Sequence, residues 1–352
     1  MASVEIHLGD RVVGGDNPTL VVAELSGNHS QHLGRAIELI DLAAEAGADA
    51  VKIQTYRPDT LTIECDREPF VIGEGTPWAG RSLFELYEQA HTPWEWTGDL
   101  ETRAREHGML LFSTPFDESA VDFLEHFDLP AYKIASFELT DLAFIERVAA
   151  CGRPLILSTG MATIAEIDEA VTTARAAGAA ELALLRCSSA YPANAAEMDL
   201  RSIPHMLDGW DVVVGLSDHT LGCAAAIAAV ALGARIVEKH FVRSRSDGGP
   251  DADFSLEPHE LRQLIDSIRE AEASLGDVRY GPTEREKSSL VFRRSLFAVE
   301  DVTAGQHFTV ENVRSIRPGG GLAPKHLPDV IGRRASCDIE RGTPLTWDHL
   351  GA

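Results

Sequence analysis

Val212-Val-Val-Gly-Leu-Ser-Asp-His219 and Arg235-Ile-Val-Glu-Lys-His240 decide the fold of this chain. Each is a short apolar run that ends in polar residues, and the alanine-rich Leu221–Leu232 between them has the length of a helix. Strand, helix, strand, with the strands almost wholly apolar, predicts a parallel sheet covered on both faces. The longest apolar stretch, Cys223 to Ala234, is about 12 residues, well short of the ~20 a membrane-spanning helix needs.

Working outward, six more runs repeat the rhythm: Leu20–Glu24, Ala50–Gln54, Leu110–Thr114, Ala131–Ser136, Pro154–Ser158 and Leu182–Cys187. Helical patterns follow at Gly34–Ala46, Pro93–His107, Ser119–Phe127, Leu142–Ala150, Thr163–Ala177, Asp199–Leu207 and Glu257–Leu275. Gly47, Gly108 and Gly178 stand where a helix stops, and Thr163-Ile-Ala-Glu166 is a capping-box pattern. Thr55 to Ser82 interrupts the rhythm and reads as a functional loop. Eight strand–helix units predict a closed (β/α)8 TIM barrel, preceded by a β-hairpin over Val4–Val13 that turns at Gly9-Asp10. The alternative is an open doubly wound sheet. Its Gly-rich turn is missing, since the first strand runs into Glu24-Leu-Ser-Gly-Asn-His29.

After Gly276 the composition changes. Residues 1–280 read as the barrel domain, 281–292 as a linker with Gly281-Pro282 at its start, and 293–352 as a small β-rich domain. That size is marginal for a free-standing core, so the small domain is expected to pack on something. The chain has 352 residues and a formal charge of −24, which argues against nucleic acid and anionic membranes as partners. Five cysteines without a CxxC fit reduced thiols in a cytoplasm, and Met1 to Asp10 carries no secretory signal pattern.

In such a barrel the chemistry collects at the C-terminal strand ends. Polar groups stand at all eight: Glu24 with Asn28; Lys52 and Gln54; Thr114; Lys133, Ser136 and Glu138; Ser158; Ser189 and Tyr191; Ser217 and His219; Glu238 and His240. Taken singly, a Ser there is commonly a helix cap, a His a hydrogen-bonded structural group and a Lys a solvated one. Gathered at one mouth, hydroxyls with Lys52 and Lys133 suit a phosphate. His219 and His240, on neighbouring strands, suit a divalent metal with open positions. Glu24 and Glu138 suit acid–base work or hydroxyl acceptance, the alternative being ion pairs with the mouth lysines. Asp251 lies in the loop after the eighth strand, either solvated or facing the mouth. Arg317 is basic in an acidic chain, either a surface ion pair or a functional group.

Ala23-Glu-Leu-Ser-Gly-Asn-His29, Val51-Lys-Ile-Gln54, Ser113-Thr-Pro-Phe116, Tyr132-Lys-Ile-Ala-Ser136, Leu157-Ser-Thr-Gly-Met161, Gly215-Leu-Ser-Asp-His-Thr220 and Val237-Glu-Lys-His-Phe241 resemble, in order, the motifs of the sialic acid synthase family. Ser295–Leu350 resembles that family's antifreeze-like (SAF, β-clip) domain. The resemblance implies a metal-dependent condensation of phosphoenolpyruvate with an open-chain amino sugar and water, releasing phosphate by C–O cleavage. It implies that Lys52, Thr114, Lys133, Ser136, Ser158, Ser189 and Ser217 bind phosphoenolpyruvate. His219 and His240 would hold Mn²⁺, with Mg²⁺ or Co²⁺ as alternatives. Glu24 and Glu138 join the two histidines as catalytic groups, and Asn28, Gln54, Phe137, Tyr191, Asp251 and Arg317 face the sugar. It further implies a domain-swapped homodimer in which Arg317 enters the partner's barrel.

Four departures resemble the pseudaminic acid synthases within that family: Phe137 after Ser136, Glu24-Leu-Ser-Gly27, Ser189 in place of Asn, and the loop Ser246–Ser255. Thr92-Pro-Trp-Glu-Trp96 points the same way. The implied sugar is 2,4-diacetamido-2,4,6-trideoxy-L-altrose, with Phe137 expected to give apolar contact. The alternatives are an N-acetylneuraminate or legionaminate synthase, a metal-dependent aldolase, and a non-catalytic sugar-binding barrel.

Overall fold

The computed structural model describes residues 4–351. Residues 1–3 and 352, the outer ends of the two expected domains and the start of the stretch read for a signal, lie outside the described residues. Two compact units divide at Gly276 and Asp277.

In the first unit the hairpin comprises β1 (Glu5–Leu8) and β2 (Arg11–Gly14), with Glu5 opposite Gly14. Eight strands then close a parallel barrel: β3 (Leu20–Glu24), β4 (Ala50–Thr55), β5 (Leu110–Pro115), β6 (Tyr132–Ile134), β7 (Leu155–Ser158), β8 (Leu182–Cys187), β9 (Val213–Asp218) and β10 (Ile236–His240), with β10 pairing back onto β3. The open-sheet alternative is thereby excluded.

Side chains alternate across a strand, and every strand here is buried on both faces. Outward residues such as Val21, Val51, Leu111, Leu184 and Val237 pack under the helices. Inward residues near the strand starts, among them Leu20, Val22, Ala50, Phe112, Ile156 and Ile236, fill the barrel with Ile6, Leu8 and Val13 of the hairpin. The hairpin therefore plugs the N-terminal end. One inward position must stay empty: a Cβ at Gly215 would meet the Ile236 carbonyl oxygen at 2.5 Å and Leu185 Cδ2 at 2.6 Å. Outside the wall, Lys239 Nζ donates to Asp218 Oδ2 at 3.1 Å and to the Thr220 carbonyl at 2.5 Å. This fully buried pair ties the loop after β9 to β10.

The helices keep to the expected order with local differences. Thr163 and Glu166 form the capping box of the helix Ile164–Ala176. The helix expected from Asp199 begins later, at Ser202–Trp210, because Asp199 takes a left-handed φ of 45° and Trp210 is drawn into the core. The segment expected as one helix from Pro93 opens with a 3-10 turn, Trp94–Trp96, before the helix Thr97–Glu106. The stretch after β4 holds the short helix Pro58–Leu61, a 3-10 turn Glu68–Phe70 and a bridge between Val71 and Ser82. Beyond it stands the helix Leu83–Ala90, absent from the sequence reading although Ser82 and Glu85 cap it reciprocally. No helix among the described residues is long and apolar enough to cross a membrane.

The second unit has its own core, including Leu296, Ala298, Phe308, Val313, Val330 and Leu345. It is built on β11 (Ser295–Ala298) paired antiparallel with β12 (Val313–Ile316) and on isolated bridges such as Val302 with Ile339. The stretch read as linker carries a 3-10 helix, Arg285–Phe292, whose Val291 carbonyl accepts the Gly319 N–H at 2.8 Å.

Leu8 is fully buried inside the plug. Leu8→Ala is expected to cost about 2–5 kcal/mol, through lost transfer energy and the cavity left behind. Urea unfolding of the two proteins measures it, and a difference below about 1 kcal/mol would show that the plug collapses around the gap.

Candidate active site

The alternation that buries Leu20 and Val22 inside the barrel also turns Glu24 inward, and the same count holds on every strand. Lys52 and Gln54 follow Ala50, Thr114 follows Phe112, Lys133 follows Ala131 and Ser158 follows Ile156. Ser217 and His219 follow Val213, and Glu238 and His240 follow Ile236. Register sets the levels: Glu24 pairs with Lys52 on one side and His240 on the other, and Ser217 pairs with Glu238.

Four charges meet at this level, all nearly water-free. Lys52 Nζ lies 2.5 Å from Glu24 Oε2, donates to Thr114 Oγ1 at 3.1 Å and stands 3.8 Å from Glu238 Oε1. Lys133 Nζ donates to Glu238 Oε1 at 2.5 Å, and Ser217 Oγ reaches the same oxygen at 3.4 Å. Burial alone would neutralise all four groups. Against burial, Lys133 and Lys52 hold the Glu238 carboxyl below its usual range, and Glu238 with Glu24 hold Lys52 above its own. Burial wins at Glu24, whose carboxyl is raised, and at Lys133, which is lowered with help from the Lys52 charge. The floor is thus a pair of buried ammonium groups held by carboxylates, ready to exchange partners with an anion. Ser158 Oγ, buried and without a partner, adds a free hydroxyl.

Above the floor stand the two imidazoles, ring centroids 5.3 Å apart. His219 Nδ1 is 2.7 Å from the Ser188 carbonyl oxygen, so Nδ1 carries the hydrogen and Nε2 keeps its lone pair. Burial lowers the His219 pKa to about 4 and holds that of His240 well below its ordinary value, so both are neutral at pH 7. His240 Nδ1 has no hydrogen-bond partner and lies 3.5 Å from Asp251 Oδ2. Two neutral imidazoles beside a carboxylate are the donors a divalent ion takes. No set of three His, Cys, Asp or Glu among the described residues encloses such an ion.

A cavity of about 410 Å³ opens over His240. Gln54, Ser136, Phe137, Glu138, Tyr191, His240 and Asp251 line it. Tyr191 packs against His219 at 4.4 Å, and Ser136 Oγ shares a hydrogen bond with Ser189 Oγ at 2.7 Å. Burial raises Asp251 to about 6, against the hydrogen bond it accepts from Ser26. Burial likewise raises Glu138 to about 7 and leaves its Oε2 without a partner.

Asn28 stands apart from this group. It does not line the cavity, and its Nδ2 donates to the Phe241 carbonyl and to Ser255 Oγ, both at 2.9 Å. Its Nδ2 braces the chain after β10, while its buried Oδ1 has no partner. Phe137 lines the cavity but is 60% exposed. Arg317 is exposed in the second unit, directly after β12. The ion pair foreseen as the alternative for Glu24 is present, with Lys52. Glu238 was not among the expected functional groups, yet it joins both lysines. Its signal was the alternation within Val237-Glu-Lys-His-Phe241, which puts Glu238 on the face of His240.

Glu138 gives a pH test. Its folded pKa of about 7 exceeds the ordinary 4.5, so the folded chain binds the extra proton between those values and loses stability as pH rises through them. Glu138→Gln removes that cost. It is expected to stabilise the protein by about 1–3 kcal/mol at pH 8 and by almost nothing at pH 4. Denaturant unfolding at both pH values measures it, and an equal effect at the two would sink the assignment.

Comparison with known proteins agrees with this geometry. Residues 39–280 match the NeuB family, and residues 293–351 match the SAF domain. A pseudaminic acid synthase of Campylobacter jejuni is 43% identical, over 94% of this chain and 96% of its own. An N,N'-diacetyllegionaminic acid synthase of Legionella pneumophila is 34% identical, over 96% of each chain. The crystal structure of an N-acetylneuraminic acid (sialic acid) synthetase from Leptospira borgpetersenii, in complex with citrate, superposes with a TM-score of 0.72 at 32% identity. It covers 82% of this chain and 95% of that one. A barrel with this floor, matched along most of its length and followed by a SAF domain, belongs to the NeuB family.

Proposed function

We propose that the protein is a pseudaminic acid synthase, a transferase that condenses phosphoenolpyruvate with 2,4-diacetamido-2,4,6-trideoxy-L-altrose and water to give pseudaminic acid and phosphate. The carrying observation is the buried floor: two lysines and three hydroxyls, set directly beneath two neutral histidines. The choice of sugar follows the higher identity to the pseudaminic than to the legionaminic acid synthase.

In the reaction, C3 of phosphoenolpyruvate bonds to the sugar aldehyde carbon, the oxygen of water adds to C2, and the C2–O bond to phosphorus breaks. Lys52, Lys133, Thr114, Ser158 and Ser217 hold the phosphate and carboxylate, with Ser136 and Ser189 at the edge. A dianion arriving here would meet Lys52 and Lys133 already held in place by Glu24 and Glu238. A divalent ion, Mn²⁺ in first place with Mg²⁺ or Co²⁺ as alternatives, would be held by His219 and His240 and would polarise the aldehyde. Glu138, half protonated near pH 7, can hold or pass a proton at the aldehyde oxygen. Glu24, against Lys52, and Asp251, beside His240, would hold the attacking water. Gln54 and Tyr191 bound the sugar.

Burial of a reactive site is completed, in this reading, by a domain-swapped homodimer in which the partner's second unit supplies Arg317 to the acyl group. The SAF match and the exposure of Arg317 after β12 support it. We place the reaction in the cytoplasm, in keeping with five free cysteines.

Phosphate release from phosphoenolpyruvate with Mn²⁺ is expected with the trideoxy sugar, to vanish with EDTA, and to return with added Mn²⁺. Release with N-acetylmannosamine alone would overturn the choice of sugar. Release of no phosphate while pyruvate is consumed would favour an aldolase. His219→Ala is expected to lose at least about 100-fold in kcat/KM even with excess metal. Lys133→Met is expected to raise KM for phosphoenolpyruvate about 10–100-fold, the loss of one charged hydrogen bond. Unchanged KM values would remove Lys133 from the phosphate site.

A further inference from the structure

The cavity over His240 has two unlike faces. Ser26, Gln54, Glu138, His240 and Asp251 stand on barrel strands or in the turns just beyond them. The other face is supplied by the segment between β4 and β5. Leu61 and Ile72 come from the stretch after β4, and Leu83, Leu86, Tyr87 and Ala90 from the helix Leu83–Ala90. Positions 83, 86, 87 and 90 share one helix face. This wall is held firmly. Ser82 and Glu85 fix the helix start, and Tyr56 packs edge-on against Tyr87 and Phe116, with centroids 5.7 Å and 5.1 Å away. Trp78 Nε1 donates to the Pro250 carbonyl at 2.6 Å, which fastens the insertion to the loop that carries Asp251.

We propose that Leu61, Ile72, Leu83 and Leu86 form the subsite that recognises the C6 methyl group of the sugar, and that this wall rather than Phe137 selects a 6-deoxy substrate. The inference rests on the reading of the reaction given above. With the aldehyde carbon at the histidines, the opposite end of the open-chain sugar meets the insertion, which is the part of the cavity that lies beyond the strand ends. A methyl group there buries its surface against four aliphatic side chains. A hydroxymethyl group would bury a hydroxyl to which none of the four offers a partner, a cost that is met only in the wrong substrate. Phe137, 60% exposed, leaves most of its ring outside such a contact.

The test uses the full chain with Mn²⁺ and saturating phosphoenolpyruvate. It compares kcat/KM for 2,4-diacetamido-2,4,6-trideoxy-L-altrose with that for 2,4-diacetamido-2,4-dideoxy-L-altrose, which differs only by the hydroxyl on C6. The unaltered enzyme is expected to prefer the 6-deoxy sugar by about 10–100-fold, the range an apolar pocket can achieve against an added hydroxyl. Leu83→Ser and Ile72→Thr are each expected to narrow that ratio by about fivefold or more, with KM for phosphoenolpyruvate within about twofold, whereas Phe137→Gly keeps the ratio. Ile72 lies outside the helix, so Ile72→Thr decides the matter if Leu83→Ser does not fold. Active variants with an unchanged ratio, or a ratio lost only in Phe137→Gly, would overturn the inference while the reaction stands. Silence of the unaltered enzyme with both sugars would overturn the reaction and the inference together.

Discussion

Two buried ammonium groups and two buried carboxylates share the centre of the barrel, and each is tolerable there because of the others. An isolated buried charge costs several kcal/mol, whereas an opposed pair recovers much of that cost. Lys52 is therefore held charged, and Lys133 is kept beside Glu238 against the pull of burial. Glu238 is the hinge of the arrangement. It reaches both lysines, Lys133 at 2.5 Å and Lys52 at 3.8 Å. The interaction fixes two long, flexible side chains in advance, which is the cost a substrate would otherwise have to meet.

The rest of the molecule holds that centre in place. The hairpin and the apolar strand starts make the lower half of the barrel a packed core, where almost every inward group is hydrocarbon. The upper half breaks that rule strand by strand, and among its partnerless groups Ser158 Oγ, Glu138 Oε2 and His240 Nδ1 belong to the site. Stability is concentrated at one end and reactivity at the other, a division that the (β/α)8 architecture permits because loops at one face vary without disturbing the core. The insertion between β4 and β5 uses that freedom. It adds an apolar wall to a polar mouth and brings Trp78 against Tyr191, which in turn packs on His219.

Much of the site was legible because strand alternation is strict. Once Leu20 and Val22 are inside, Glu24 has to be, and the same holds for Lys52, Thr114, Lys133, Ser158 and Ser217. Glu238 shares the inward face of His240 two residues on, but a carboxylate at a strand end does not by itself show that it reaches two lysines on other strands. Asn28 shows what a position after a strand end leaves undecided: only the folded loop gives its Nδ2 to Phe241 and Ser255 and leaves its Oδ1 without a partner. The helix Leu83–Ala90 escaped notice because it lies in an interruption of the barrel rhythm, where one short capped helix has no neighbouring period to support it.

The sequence by itself determined the barrel, its hairpin and the ring of polar strand ends, since hydrophobic periodicity and chain order carry that information locally. It also determined the family, through motifs that lie at those same strand ends. Tertiary structure alone decided which of these groups touch: that Glu238 takes both lysines, that Asp251 comes back to His240, and that the cavity has an aliphatic far wall. Asp251 and His240 are joined by the folding of one loop, whereas Glu238 and Lys133 lie 105 positions apart and meet through the closing of the barrel. No local pattern records that closure, because it is the packing of all eight strands around one core that sets it.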